Sequence, residues 1–229
     1  MDEFTWSDPP GRFAFPIAAA GIPLIFGAAF ATLILALLGL TGLALIGLAA
    51  TFAICGFFRD PDRVIPAAPG AVVSPADGKV IAAALVDGGA FYEGRCRKVS
   101  IFMSVLNVHV NRIPAAGRVS RVSYRPGQFV PADRQDASGR NEHNAVFLQT
   151  DDGRSLCTVQ VAGLIARRII CRVQAGDRVL RGQRFGMICF GSRLDVYLPQ
   201  EIDLEVAVGD RVSAGSTVLG RLATAPTGN

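Results

Sequence analysis

Charge is what this sequence lacks most conspicuously near its start: no Asp, Glu, Lys or Arg lies between Arg12 and Arg59. The stretch from Phe13 to Phe58 is built mainly from Leu, Ile, Ala, Gly and Phe, which explains a mean hydropathy of +0.36. A membrane-spanning helix takes about 20 apolar residues, so this length suits two tight helices turning at Gly39-Leu40-Thr41-Gly42. Pro16 and Pro23 fall near the start of the first helix, where proline is tolerated. A basic leader followed by a short apolar core is also missing. Asp2 and Glu3 open the chain and the apolar run is too long for a cleaved secretory signal, so the segment reads as an anchor. Arg12 before it and Arg59 and Arg63 after it place both ends in the cytoplasm by the positive-inside rule. The expected organisation is a cytoplasmic N-terminus over residues 1–12, a helical membrane hairpin over 13–58, and a domain over 59–229 at the cytoplasmic face of the cell (inner) membrane.

Other scarcities narrow the function. Lys79 and Lys98 are the only lysines, so the net charge of +4 rests on arginine. Such a basic chain suits an anionic lipid surface. It has no basic run with interleaved aromatics and no helix patterned for a groove, which sets nucleic acid aside as a partner. The five cysteines (Cys55, Cys96, Cys157, Cys171, Cys189) are odd in number and form no CxxC pair, against both a disulfide framework and a zinc site; no metal is expected. Long amphipathic helices are absent after Arg59.

What replaces them is β-sheet patterning. Proline-rich joints at Asp60-Pro-Asp-Arg63 and Pro66-Ala-Ala-Pro-Gly70 separate the anchor from short runs rich in Val, Ile and Phe. Strands are expected over 78–83, 98–103, 117–124, 144–149 and 155–162. The fold class is therefore mainly β, a sandwich or barrel-like domain behind an α-helical hairpin. Two internal similarities stand out. Pro75-Ala-Asp-Gly-Lys-Val80 resembles Pro114-Ala-Ala-Gly-Arg-Val119, and Val173-Gln-Ala-Gly-Asp-Arg-Val179 is echoed by Val206-Ala-Val-Gly-Asp-Arg-Val212. The second pair predicts tight Gly-Asp turns between short strands, as in lipoyl- and biotinyl-like domains. A carrier of that type needs a modifiable lysine at the hairpin tip, and neither unit contains one.

Chemistry has few places to reside. His109 and His143 are the two histidines. His109 lies in an alternating stretch, Ser104-Val-Leu-Asn-Val-His-Val-Asn-Arg-Ile-Pro114, on one face of a strand; by itself it reads as readily as a structural imidazole as a base. Asp77 follows proline and precedes glycine, a turn position. Ser192 follows Gly191 at the end of an apolar run, in a common dipeptide. Ser, His and Asp together also admit a membrane-anchored serine peptidase, because such a triad is defined by geometry rather than order.

Taken together, Ser74-Pro-Ala-Asp-Gly-Lys79, Asn107-Val-His-Val-Asn-Arg-Ile-Pro114, Asn141-Glu142 and Phe190-Gly-Ser-Arg-Leu-Asp-Val-Tyr-Leu-Pro199 resemble the phosphatidylserine decarboxylase family, in its short form, across everything after Arg59. The resemblance implies a chain that cleaves itself at Gly191–Ser192 into a β chain (1–191) and an α chain (192–229) that remain together as a heterodimer. Its cofactor would be a covalent pyruvoyl group derived from Ser192. His109, oriented by Asp77, would take the Ser192 proton as the hydroxyl attacks the Gly191 carbonyl. The ketone would form a Schiff base with phosphatidylserine and act as an electron sink while carbon dioxide leaves, giving phosphatidylethanolamine. Longer members have a second histidine where this chain has Arg112, and in the family's Asn-Glu motif an arginine usually follows where this chain has His143. Arg112 and Arg193 are candidate partners for a substrate carboxylate or phosphate, His143 a candidate proton donor, and Asn141 and Glu142 site-supporting residues. A homo-oligomer is compatible with this reading.

Overall fold

The apolar N-terminal run folds as two helices in the computed structural model of the chain, which describes residues 17–132, 137–164, 168–189 and 191–222. After a short turn at Ala19–Gly21, α1 spans Ile22–Leu37 with Pro23 in its first turn, and α2 spans Thr41–Phe57. The turn is tighter than expected. Gly39, at φ +73°, provides the left-handed residue alone, and Thr41 and Gly42 already belong to α2. The helices approach closely where Gly47 faces Thr32: a side chain at 47 would collide with the Thr32 hydroxyl, which itself donates to Ala28 O at 2.8 Å. Small residues permit such contacts between apolar helices. Ala19–Leu37 is long and apolar enough to cross a membrane, with a mean hydropathy of 2.2, while Thr41–Phe57 is shorter. This supports membrane association. Residues 1–16, including the start of the expected hairpin, lie outside the described residues.

The helices belong to a compact unit that ends at Asp62, and a second unit begins at Arg63. Its strands are β1 (Ala71–Val73), β2 (Gly78–Asp87), β3 (Arg95–Met103), β4 (Val110–Arg112), β5 (Gly117–Arg125), β6 (His143–Thr150), β7 (Ser155–Val161), β8 (Ile169–Cys171), β9 (Arg178–Val179), β10 (Arg184–Ile188), β11 (Ser192–Pro199), β12 (Asp203–Leu204), β13 (Arg211–Val212) and β14 (Val218–Arg221). All pair antiparallel. A curled, half-barrel sheet runs β13-β2-β3-β11-β7-β6-β5-β9, flanked by the smaller sheets β1-β14-β12 and β4-β10-β8. The five expected strands are β2, β3, β5, β6 and β7, with β2 extending to Asp87.

The internal similarities acquire a structural meaning here. Each Pro-Ala-x-Gly-x-Val segment starts a long strand, and each is bordered by one Gly-Asp-Arg-Val strand: Gly78 and Lys79 pair with Val212 and Arg211, Gly117 and Arg118 with Val179 and Arg178. The turn bonds repeat as well. Val80 N donates to Asp210 O at 2.9 Å and Val119 N to Asp177 O at 2.8 Å. Within each Gly-Asp turn the carboxylate accepts from a backbone N–H three residues earlier, Gln174 for Asp177 and Ala207 for Asp210. The large sheet thus has matching ends, each an edge strand of one repeat laid against a strand of the other. A glycine further along each unit, Gly182 and Gly215, faces the same side chain, Ile65. The linker is seated between them.

One side of the sheet buries Cys96, Ala145, Cys157, Val159, Val161 and Tyr197, roofed by Phe91 and Tyr92 from the loop between β2 and β3. Burial pushes the Cys157 thiol and the Tyr197 phenol far above their ordinary ranges, with Asp195 acting in the same direction on both and Arg121 opposing it at Cys157.

Candidate active site

Ser192 opens β11, the strand at the middle of the large sheet. It pairs with Met103 at the end of β3, and the next residue, Arg193, pairs with Phe102 and with Val161 at the end of β7. Because Val161 also pairs with His143, and His143 with Arg125, the loops after β3, β5 and β7 and the approach to β11 all leave the sheet at one end. Ser192 is fully buried there, and Phe190 lies outside the described residues.

Gly191 has φ +63°, a conformation side chains rarely adopt. The carbonyl of Gly191 occupies the volume that a Cβ on Gly163 would fill, with Ala132 on the other side of that volume. Two glycines from different segments therefore shape the Gly191–Ser192 bond, one by its backbone angle and one by its missing side chain. Two residues upstream, burial raises the Cys189 thiol pKa, partly offset by Arg168, so this neighbour stays protonated near neutral pH and is a weak nucleophile.

The Ser192 hydroxyl donates to Met103 Sδ at 3.6 Å, a weak acceptor. Asn111 Nδ2 approaches the same sulfur at 3.8 Å, and Asn111 Oδ1 accepts from Gln160 Nε2 at 2.9 Å. Gln160 Oε1 in turn accepts from Asn144 Nδ2 at 3.0 Å. All of these residues are buried, so the amides are oriented by one another and not by solvent. Gly163, Met103, Asn111, Gln160 and Asn144 are absent from the sequence-derived candidates. Asn111 alone carried a signal, as it stands two residues from His109 in an alternating stretch.

His109 is fully buried immediately before β4, and its carbonyl accepts from Ile188 N at 3.4 Å, close to the segment that leads into Gly191. The two-residue spacing puts it on the same face of its extended segment as Asn111. Asp77 has other partners: its carboxylate accepts from Arg63 Nη2 at 2.8 Å and from Ala214 N at 2.7 Å. Arg112 borders the same turn. Its N–H donates to Pro75 O at 2.9 Å, its Nη1 to Gly182 O at 3.0 Å, and its side chain packs beside Gly215.

Arg193 and His143 are on the opposite face from Ser192, as strand alternation requires. Arg193 is buried in an ion pair with Asp195, its Nε 2.9 Å from Oδ1, while Nη1 donates to Ala132 O at 2.8 Å. Lys98 adds a second cation 3.2 Å from Asp195. His143 Nδ1 lies 2.8 Å from Asn141 O and its ring meets Phe91 edge-on. Asn141 stitches this region together, exchanging hydrogen bonds with Val130 and donating to Ala162 O at 2.8 Å. Asn141 and Arg193 thus hold the 128–132 loop over the segment that carries Gly163.

A family profile described as phosphatidylserine decarboxylase matches residues 51–220. The chain belongs to the phosphatidylserine decarboxylase family. It is similar to proteins named phosphatidylserine decarboxylase proenzyme from Desulfotalea psychrophila (48% identical, covering 90% of this chain and 97% of that protein) and Geotalea uraniireducens (49%, 90% and 97%). One from Burkholderia cenocepacia is 45% identical over 90% of this chain and 96% of its own length. Enzymes of this family are pyruvoyl-dependent carboxy-lyases, and their proenzymes form the pyruvoyl group from a serine on self-cleavage. The surroundings of Ser192 fit that group. Converting serine to pyruvoyl removes the hydroxyl oxygen and leaves a methyl, and Met103 Sδ suits a methyl as well as it suits a hydroxyl.

Proposed function

We propose that this chain is a phosphatidylserine decarboxylase that cuts itself between Gly191 and Ser192, giving a β chain of residues 1–191 and an α chain of residues 192–229. The observation that carries the reading is a buried serine behind a positive-φ glycine whose carbonyl sits in a space kept clear by Gly163. In the cut, Ser192 Oγ gives its proton to His109 and attacks the Gly191 carbonyl, and the amide C–N bond breaks as the ester C–O bond forms. Removal of the Ser192 Cα proton then expels Gly191 as a carboxylate, and water replaces the nitrogen of the resulting dehydroalanine, releasing ammonia. The ketone that remains supplies an electron sink for the loss of a carboxylate from an aminophospholipid.

Asp77 enters the proposal through the internal repeat. Ala116 occupies the matching position and makes the same turn without a carboxylate, so the turn does not require Asp77. Its bonds to Arg63 and Ala214 hold the carboxylate at the base of β2, and from there it is assigned the role of orienting His109. Arg112, Arg193 and His143 serve as framework, given their backbone and ion-pair partners. The sheet arrangement is read as lipoyl-like around the Gly-Asp hairpins, and the helices as a hairpin in the cell membrane with the β unit on the cytoplasmic side. Phosphatidylserine is the substrate and phosphatidylethanolamine the product.

Intact-protein mass spectrometry tests the reading. Two chains divided at Gly191–Ser192 are expected, the smaller with a blocked, carbonyl-bearing N-terminus that reacts with hydrazides. A single full-length chain, or decarboxylation of phosphatidylserine by Ser192→Ala, would overturn it.

A further inference from the structure

Exposed apolar side chains gather at the end of the large sheet where Ser192 lies. The loop after β3 is closed by polar bonds at its base: Asn107 Oδ1 accepts from Ser104 N at 2.9 Å and from Ser104 Oγ at 2.8 Å, and Asn107 N donates to Ser104 O at 3.0 Å. This pins Val105 and Leu106 at the tip, 49% and 80% exposed. On the loop after β7, Leu164 is 57% exposed, directly following the glycine against the Gly191 carbonyl. Since β3 and β7 are separated only by β11, the two loops start about 10 Å apart, astride Ser192. Scattered exposed leucines are ordinary, but a braced tip that presents two apolar residues beside a buried nucleophile is not explained by folding. Exposed basic residues predominate at this end among the described residues: Arg125, Arg140 and Arg168, with Lys79 and Arg211 beside the exposed Asp210.

We propose that Val105, Leu106 and Leu164 form a rim that inserts into the headgroup and acyl boundary of an anionic bilayer, with the surrounding arginines on the lipid phosphates. The inference rests on the reading of this site as one that acts on a membrane lipid, and deepens it by naming the surface through which the lipid enters. Apolar residues on a basic face bind such boundaries by area and by charge together. A lipid headgroup then reaches the fully buried residue 192 without leaving the membrane.

The test uses the full chain in vesicles of phosphatidylglycerol and phosphatidylcholine. Trp6 is the only tryptophan, so in a Trp6→Phe background Leu106→Trp and Leu164→Trp report their own surroundings. Both are expected to be quenched by phosphatidylcholine brominated on its acyl chains. Leu85→Trp, paired with Arg97 and about 20 Å along the sheet from the Ser192 end, is expected not to be. Fluorescence at 106 that is open to aqueous iodide and untouched by brominated lipid would overturn the rim. So would protection from both quenchers, the mark of a contact with a second copy of the chain. Leu106→Glu is expected to raise the apparent KM on vesicles about 10-fold while sparing kcat on dispersed short-chain phosphatidylserine; equal loss on both substrates would count against the rim. Quenching needs no turnover, so it stands apart from any failure of the decarboxylase reading.

Discussion

The carbonyl of Gly191 fills the space where residue 163 would otherwise carry a side chain. Gly163, after β7, is needed because of the Gly191 carbonyl, whereas Gly191, before β11, is needed for its own positive φ. Gly163→Ala should therefore displace the Gly191 carbonyl, the point of attack in the proposed cut. Self-cleavage is expected to slow by about 10-fold or more, since small misplacement of reacting atoms is costly. The fraction of uncut chain on a denaturing gel against time after synthesis provides the measurement.

Gln160 links Asn111 to Asn144 with no solvent nearby. Gln160→Leu keeps the volume and strands an acceptor and a donor, each at about 1–3 kcal/mol. A loss of about 2–4 kcal/mol is expected in the urea unfolding of the uncut Ser192→Ala protein. The same substitution with Ser192 intact should slow the cut, because Asn111 is no longer held at Met103.

Arg193 and Asp195 form a pair in which neither side chain meets water. Arg193→Ala should cost about 3–5 kcal/mol by leaving Asp195 buried beside Lys98 alone. Arg193→Met with Asp195→Leu should cost less than either single change. A substrate-binding arginine would behave differently, raising KM in a protein of normal stability, so thermal denaturation and kinetics together decide its role.

Asp77→Ala should fold, since Ala116 builds the corresponding turn without a carboxylate. The partly buried pair with Arg63 adds about 1 kcal/mol. Self-cleavage, in contrast, is expected to fall roughly 100-fold or more if Asp77 orients the base. Protease resistance and chain cutting, measured on the same sample, separate the two effects.

Stability should decline at alkaline pH. Cys157 and Tyr197 have folded-state pKa values raised by burial from ordinary values of 9.0 and 10.0, so the folded protein holds protons that the unfolded chain releases. Their contribution is complete below about pH 9 and is lost progressively as the pH rises above it. Denaturation midpoints measured from pH 7 to 11 should fall, and Cys157→Ala in a matched comparison should flatten the slope.

The legible parts of this protein are those set by local chemistry. Uncharged residues from Phe13 to Phe58 announce helices, and alternation with Gly punctuation announces β2, β3, β5, β6 and β7. The pairing of the two repeats across opposite ends of one sheet is not legible, because register depends on strands far apart in sequence. The site divides the same way. Ser192 and His109 stand in recognisable motifs, whereas Gly163 and Gln160 gain their meaning only through neighbours 28 and 49 residues away, Gly191 and Asn111. Arg193 follows Ser192 directly, and for that reason strand alternation turns it to the other side.

The α chain proposed here would begin with the strand at the centre of the large sheet, held by β3 on one side and β7 on the other. Its later strands lie against β1 and β2, and Ile65 is wedged between Gly182 from one chain and Gly215 from the other. On that proposal the folded state would be assembled by a continuous polypeptide and then retained by two severed ones. Refolding of the severed chains would be a bimolecular search at a rate set by concentration.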